Sequence, residues 1–275
     1  MILREMMKKC DSGHKIAVGI SSEERLGSRT LSACVQAKKK GYADPIVVGS
    51  NIQPQNQLEV VNDDNPEHKL VDMLQEREIA AAVRGSLDAT PVLTYLKKFI
   101  PKTAVRIALF EDKVGNSFLL APVGIDEGNS YEEKETILRE GTNLLKFFGI
   151  EPKVCILAGG KQRDLGRNPI SDETIADAKA LIENFPDYEI FSTGIMLEKA
   201  FKRNANFIVA PGGISGNLIY RTLVHVSGYA VSYGAPFRET SSGENCNCIC
   251  FTDTSTLGTI SDYVRAIAFT SSLVD

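Results

Sequence analysis

The feature that most constrains this chain is the alternation of short apolar segments with segments of helical periodicity. Lys15–Ile20 reads KIAVGI and Pro45–Gly49 reads PIVVG, and both are short, apolar and rich in β-branched residues. The segment between them carries apolar residues at helical spacing, and Ser21 and Glu24 have the spacing of a capping box. This order of strand, helix and strand is typical of a βαβ unit with parallel strands.

The same alternation continues to the end of the chain and predicts an α/β protein with largely parallel sheets. Further strands are predicted at Ile79–Val83, Ala104–Phe110, Ser117–Val123, Lys153–Ala158, Tyr188–Phe191, Asn206–Pro211, Tyr229–Tyr233 and Cys246–Thr252. Further helices are predicted at Thr90–Phe99, Tyr131–Phe148 (capped by Asn129 or Ser130), Ser171 to Asn184, Asn217–Ser227 and Ile260–Phe269. The strands on either side of Gly115 are predicted to form a hairpin.

Charge and hydropathy exclude several classes of partner. The 275 residues include 31 Lys and Arg against 35 Asp and Glu, a net charge of −4, which predicts no nucleic-acid partner and requires any anion to be bound locally. No apolar run approaches the ~18 residues that a membrane helix needs, so we predict no membrane association. The amino-terminal residues lack the pattern of a secretory signal, and a cytoplasmic protein is therefore predicted.

A glycine-rich turn follows the predicted strand Asn206–Pro211 and is the most suggestive segment for chemistry. Gly212–Gly216 leads into the predicted helix at Asn217, and the N–H groups of such a turn and the positive end of the helix suit a phosphate or carboxylate. Arg221 follows one turn later and would add a positive charge. The alternative, equally weighted, is that the glycines only satisfy a tight turn.

Two further glycine turns follow predicted strands, at Gly159–Arg163 and at Arg84–Ser86. The carboxyl ends of parallel strands meet at one sheet edge, where ligands bind. Charged residues such as those around Lys161 belong more often to a solvated loop than to a ligand contact. Three turns of this kind favour a ligand site more strongly than any one of them.

The cysteines and histidines predict no metal site. Cys246, Cys248 and Cys250 alternate and would share one strand face, where a metal or redox role competes with the favoured reading of small buried thiols. The six cysteines of the chain are predicted to be reduced. The three histidines are scattered and receive no role.

Several segments, in order, resemble the phosphate acetyl/butyryltransferase family. The resemblance lies in KIAVGISSEERLGSRTLSACVQAKKKGYADPIVVGS, VRGSLDAT (Val83–Thr90), Glu132–Leu157, Asn204–Leu223 and YGAPF (Tyr233–Phe237). It implies a two-domain fold of the isocitrate/isopropylmalate dehydrogenase type, with an interdomain cleft and a homodimer. Domain I would comprise residues 1–105 and 230–275, and domain II residues 106–229.

The resemblance also implies a site. Ser241 would be the catalytic residue, because Pro236–Gly243 corresponds to the family motif P-V-x-D-L-S-R-G. The substrate-binding residues would be Gly85, Ser86, Thr90, Gly159, Gly216, Asn217, Tyr220, Arg221 and Ser242. Ser242 stands where the family has an arginine, and Lys199 where it has an aspartate. Loss of one charge-assisted donor costs on the order of 10²–10³ in rate, so phosphotransacetylase activity itself is disfavoured.

Three functions follow as hypotheses. The first is a group transferase that binds a phosphorylated or coenzyme A-like small molecule in the interdomain cleft, with coenzyme A or another thiol cofactor as a substrate and with no metal. The second is a methyltransferase subunit of archaeal methanogenesis that passes a methyl group from a methylated pterin or corrinoid to a thiol. The third is a non-catalytic binding or regulatory protein on the same fold.

Overall fold

The computed structural model describes residues 2–53, 57–238 and 250–274, and the chain divides into two compact units. The central unit comprises Val105–Val231 with Met1–Ile2, and the terminal unit comprises Leu3–Ala104 and Ser232–Asp275. The sequence predicted domain boundaries at 105/106 and 229/230, and the two units change at 104/105 and 231/232. The terminal unit is therefore discontinuous in sequence.

Helices and strands alternate along most of the described residues, with consecutive strands at β2–β3, β5–β7 and β11–β13. The helices are α1 (Ile2–Lys8), α2 (Glu24–Lys39), α3 (Pro66–Gln75), α4 (Ala89–Leu96), α5 (Tyr131–Phe147), α6 (Pro169–Asn184), α7 (Leu197–Lys202), α8 (Gly213–Arg221) and α9 (Ile260–Ser271). The strands are β1 (Lys15–Ile20), β2 (Asp44–Gly49), β3 (Glu59–Asn62), β4 (Ala81–Val83), β5 (Val105–Arg106), β6 (Ala108–Asp112), β7 (Ser117–Ala121), β8 (Lys153–Leu157), β9 (Glu189–Gly194), β10 (Phe207–Val209), β11 (Ala230–Ser232), β12 (Ala235–Arg238) and β13 (Phe251–Asp253). A 3₁₀ turn spans Gln162–Asp164 and a π-helical turn spans Thr222–Val226.

The sheet of the terminal unit has the strand order β3-β2-β1-β4-β13-β12-β5. Strand β1 pairs in parallel with β2 and β4, β13 is parallel to β4, and β12 is antiparallel to β13. Ile16 and Val18 pack with Cys34 of α2 and Ile267 of α9, whereas Ala17 faces the cluster that α3 and α4 contribute to. Helices therefore cover both faces, as a parallel sheet requires.

The sheet of the central unit has the order β11-β6-β7-β10-β8-β9. Strands β7, β10, β8 and β9 are parallel, and β6 pairs antiparallel with β7 as the predicted hairpin. Helix α5 approaches the sheet closely at Gly141, where a Cβ would lie 2.1 Å from Cε1 of Phe207. Two largely parallel sheets confirm the predicted α/β class.

The structure differs from the predicted elements at several places. Helix α8 begins at Gly213 rather than Asn217, because the Ser215 hydroxyl bonds the Gly212 backbone at its start. The capping box does not form: Ser21 Oγ accepts the Glu23 N–H, and Glu23 is the N-cap of α2. Elements α1, β3, α3, α7 and β12 were not predicted.

The described helices give no candidate for a membrane span, since each is too short or too polar to cross a bilayer.

Candidate functional site

The carboxyl ends of β7, β10, β8 and β9 lie at one edge of the sheet in the central unit. Open α/β sheets bind ligands at this edge. The glycine segments after β8 and β10 both lie there, so the structure brings Gly159 to the same edge as Gly216 and Asn217.

The glycines after β10 are required by close packing against the segment that follows β7. A Cβ on Gly213 would lie 1.8 Å from the Gly124 carbonyl oxygen, and one on Gly216 would lie 1.8 Å from that of Pro122. Asn217 Nδ2 donates to the Val123 carbonyl at 2.8 Å. This turn therefore uses its small residues and its asparagine amide to hold two loops together.

Tyr220 and Arg221, the two other predicted substrate-binding residues on α8, lie in different surroundings. The Tyr220 ring packs edge-on against Phe110, with ring centroids 5.4 Å apart. Arg221 is exposed and forms no ion pair with a described residue. Only Arg221 among the predicted residues of this helix offers an uncommitted charge.

An ionic cluster with two buried members, Arg106 and Glu127, lies beside the turn after β10 and was not predicted from the sequence. Arg106 Nε donates to Glu127 Oε1 at 2.6 Å, and Arg106 Nη2 donates to Asp126 Oδ1 at 3.0 Å. Burial raises the pKa of the Glu127 carboxyl, and the charge of Arg106 opposes that rise. Because two carboxylates surround Arg106, its charge is already balanced within the protein.

A groove of about 570 Å³ opens at the carboxyl ends of β8 and β9, between α6 and α7. Its wall is mainly apolar and includes Ile175, Ala178 and Met196. The backbone of Gly160 and Gly194 forms part of its lining. Cavities of this size and character hold small organic ligands.

The charges that line the groove are mostly positive. Lys161, Lys179, Lys199 and Arg203 line it, against the single carboxylate of Glu183. Lys179 is paired with Glu183 at 3.8 Å, whereas Lys161, Lys199 and Arg203 form no ion pair with any described residue. The groove thus has three uncompensated cations in a chain whose net charge is −4.

The positions of these cations are fixed by neighbouring elements. Lys199 and Arg203 are four positions apart, so they lie on one face of α7 and its end, where like charges repel by a few tenths of a kcal/mol, ~0.2–0.5. The Arg203 guanidinium stacks on Phe191, with its carbon 3.6 Å from the ring centroid. Lys161 lies two residues after Gly159, whose N–H donates to Thr174 Oγ1 at 2.8 Å. A bound anion would relieve the repulsion on α7.

In the terminal unit, Gly85 and Ser86 form a tightly packed turn after β4. Gly85 has φ +61°, and a Cβ there would lie 2.0 Å from the Gly19 carbonyl oxygen. Ser86 is buried, and its hydroxyl accepts the Ser21 N–H at 3.0 Å and the Thr30 hydroxyl at 2.8 Å. Both residues hold the strand ends together.

Thr90 lies in the first turn of α4 and is exposed. Its N–H donates to Asp88 Oδ1 at 3.2 Å, so a carboxylate already caps this helix start. An acidic cap and an anionic ligand would compete for the same N–H groups.

A second group that the sequence did not predict lies beside Gly85. Arg84 Nε donates to Asp253 Oδ1 at 2.6 Å, and Arg84 Nη1 donates to Thr256 Oγ1 at 3.1 Å. Thr254 Oγ1 donates to the Gly85 carbonyl at 2.8 Å. Asp253, Thr254 and Ser255 have the order D-x-S that also occurs in the family motif P-V-x-D-L-S-R-G. This order is the sequence pattern from which the group could have been predicted.

Ser241, Ser242, Cys246 and Cys248 lie outside the described residues. Strand β12, which precedes them, runs antiparallel to β13, with Pro236 opposite Thr252. Arg238 therefore lies toward the amino end of β13, whereas Ser255 follows its carboxyl end, one residue after Thr254, whose hydroxyl donates to the Gly85 carbonyl. Strands β12 and β13 thus end at opposite edges of the sheet.

The structure provides no metal cluster within residues 2–53, 57–238 and 250–274. The described cysteines, Cys10, Cys34, Cys155 and Cys250, form no disulfide with one another. Burial raises the pKa of Cys34 to about 12 and that of Cys10 to about 11.

The fold is shared with a solved enzyme. A branched-chain phosphotransacylase from Enterococcus faecalis matches with a TM-score of 0.72 and 16% identity, over 95% of this chain and all (100%) of that one. The chain therefore has the fold of a phosphotransacylase.

Two relatives identify the family within that fold. A protein of Methanosarcina barkeri is 38% identical over 220 residues, which are 78% of this chain and 80% of the relative. A protein of Methanosarcina mazei is 35% identical over 265 residues, which are 94% of this chain and 90% of the relative. Both carry the name "Putative methyltransferase mtx subunit X". The chain belongs to this mtx subunit X family. No family model matches it.

Proposed function

We propose that this protein is a group transferase whose groove between α6 and α7 binds the anionic part of a phosphorylated or coenzyme A-like substrate. The observation that carries the proposal is the set of three unpaired cations, Lys161, Lys199 and Arg203, around an apolar wall. An amphipathic anion matches both features, since its charge meets the cations and its body covers the wall.

The distribution of charge in the central unit favours anion binding at the groove over binding at Arg106. Arg106 is neutralised by two carboxylates and does not compete for an anion. Lys199 and Arg203 are exposed, so a substrate reaches them without unfolding the edge. Charge-assisted hydrogen bonds of this kind contribute about 1.5–3 kcal/mol each.

A second candidate is a methyltransferase, and the names of the two Methanosarcina relatives favour it. The anion would then be the charged portion of a methyl carrier or of a thiol acceptor such as coenzyme M. The acyl and methyl reactions share the binding step and differ in the group that moves. A cytoplasmic location and a homodimer remain expectations from the family resemblance, and the interdomain cleft that the resemblance implies is the alternative to the groove as the place of the substrate.

Isothermal titration with 3′,5′-ADP, coenzyme A and coenzyme M tests the binding step. We expect Lys199→Glu to lower the affinity for whichever anion binds by about 10- to 100-fold, because a charge-assisted contact becomes a repulsion. Lys202→Glu is the matched control, since Lys202 is exposed on the same helix but does not line the groove. Equal losses in the two variants, or no binding of any probe, would contradict the proposal.

Product analysis separates the two reactions. Acetyl-CoA with inorganic phosphate gives acetyl phosphate and free coenzyme A if the acyl reaction occurs. A methylated pterin or corrinoid with coenzyme M gives the methyl thioether if the methyl reaction occurs. Anion binding without either product would favour the non-catalytic function.

A further inference from the structure

Arg203 is held differently from the two lysines of the groove. Its guanidinium carbon lies 3.6 Å from the centroid of the Phe191 ring, where the flat group fits only when it is nearly parallel to the ring. Phe191 is buried on β9 and does not line the groove. Neither Lys161 nor Lys199 lies over an aromatic ring of a described residue. Phe191 can therefore act on a ligand only through Arg203.

The backbone of Arg203 is fixed as well. Its N–H donates to the Lys199 carbonyl at 3.1 Å in the last turn of α7. With its backbone held by the helix and its guanidinium held by a ring, the side chain has fewer rotamers to lose on binding than a lysine extended into water. All N–H donors of a guanidinium lie in its plane, so the Phe191 ring also fixes the plane in which Arg203 donates.

Another arginine of the same unit shows what such a platform is used for. Arg139 lies over Phe185, with its guanidinium carbon 4.5 Å from the ring centroid. Its Nε and Nη2 both donate to Glu135 Oε1, at 3.2 and 2.7 Å. Arg203 has the same kind of platform, but its guanidinium has no acceptor among the described residues. A ligand oxygen would supply to Arg203 what Glu135 supplies to Arg139.

We propose that Phe191 is a positioning residue that holds Arg203 for a bidentate contact with the anion, and that the anion is an oxyanion with two oxygens free to accept in one plane. The inference rests on the proposed function, because it takes the groove as the site of the anion. Lys161 and Lys199 then attract the anion by charge, whereas Arg203 on its ring sets the orientation of the bound group.

A double-mutant cycle tests the pair, by titration of the full chain with the tightest-binding of 3′,5′-ADP, coenzyme A and coenzyme M. Phe191→Leu keeps an apolar side chain and removes the ring face, so we expect affinity to fall about three- to tenfold. Arg203→Lys keeps the charge and removes the paired N–H groups, which should lower affinity about tenfold. In the Arg203→Lys background, Phe191→Leu should change affinity less than about twofold, because no guanidinium remains to be positioned. Phe191→Tyr keeps the ring face and should keep wild-type affinity.

Displacement of the bound probe tests the oxyanion. At equal ionic strength, inorganic phosphate should displace the probe at a concentration at least about tenfold lower than bromide does, because bromide offers one acceptor atom instead of two. Arg203→Lys should narrow that difference. Equal displacement by the two ions in the wild-type protein would overturn the bidentate contact.

Phe185→Leu is the matched control, since Phe185 is also buried beneath an arginine but does not line the groove. It should keep wild-type affinity. Wild-type affinity in Phe191→Leu, or an equal loss with arginine and with lysine at position 203, would overturn the role of Phe191 and leave the anion groove intact. Absence of binding by all three probes would overturn the proposed function and this inference with it.

Discussion

The buried ion pair between Arg84 and Asp253 should make a large contribution to the free energy of unfolding of the terminal unit. The side chains are 3% and 15% exposed, and Arg84 also donates to the Leu87 carbonyl and to Thr256. Asp253→Asn keeps the shape of the side chain and removes its charge. Arg84 would then remain buried without a counter-charge.

The expected cost follows from that burial. Removing one partner of a buried pair costs about 3–5 kcal/mol, because the remaining charge stays desolvated. For a unit of this size, each kcal/mol lowers the Tm by ~2–4 °C, so the expected loss is ~6–20 °C. An exposed pair gives the contrast: Lys15 and Glu59 are 3.4 Å apart and more than half exposed, and such pairs contribute ~0–1 kcal/mol.

Urea unfolding of wild type, Asp253→Asn and Glu59→Gln measures the contributions of the buried and the exposed ion pair to the free energy of unfolding. We expect a large fall in the free energy of unfolding for Asp253→Asn and almost none for Glu59→Gln. A double variant, Arg84→Met with Asp253→Leu, should recover part of the loss, because no charge is then buried. Equal effects of the two single variants would refute the reasoning.

Three further outcomes are expected. Gly141→Val should lower the free energy of unfolding by about 1–3 kcal/mol, because its Cβ would lie 2.1 Å from the Phe207 ring, and an unchanged urea midpoint would contradict the packing. The pKa of Asp164 is lowered by a backbone N–H and then by an arginine, so its stabilisation exists above the unfolded pKa and disappears as pH falls through the depressed value. The Tm gap between wild type and Asp164→Asn should therefore close on acidification, and a gap that widens would reverse the sign. Asn217→Ala should cost about 1 kcal/mol through its bond to the Val123 carbonyl while anion affinity in titration stays the same, and a large loss of affinity would return Asn217 to the binding site.

Local signals predicted most of the fold. Helix α5 was predicted because Ser130 stands before a periodic segment, and its hydroxyl does accept the Glu133 N–H. Helix α3 was missed although Asn65 caps it and Pro66 begins it, both of which were readable. The short helix α7 and strand β3 carry too few residues for a periodicity to emerge.

The site was less predictable because its groups come from distant parts of the chain. The turns after β4, β8 and β10 were located because glycines follow predicted strands there. In contrast, Arg84 and Asp253 are 169 positions apart, and only the sheet order brings them together. Likewise, Lys161 resembled a solvated loop residue until the structure placed it beside the groove that Lys199 also lines.

The central claim is that an anion binds among Lys161, Lys199 and Arg203. Crystals soaked with 8-bromoadenosine 5′-monophosphate test it most directly, because anomalous scattering locates the bromine independently of the phosphate density. We expect the phosphate within hydrogen-bond distance of Lys161 or Lys199, with the bromine over the apolar wall near Met196. A phosphate bound at Arg221 on α8, with an empty groove, would contradict the account.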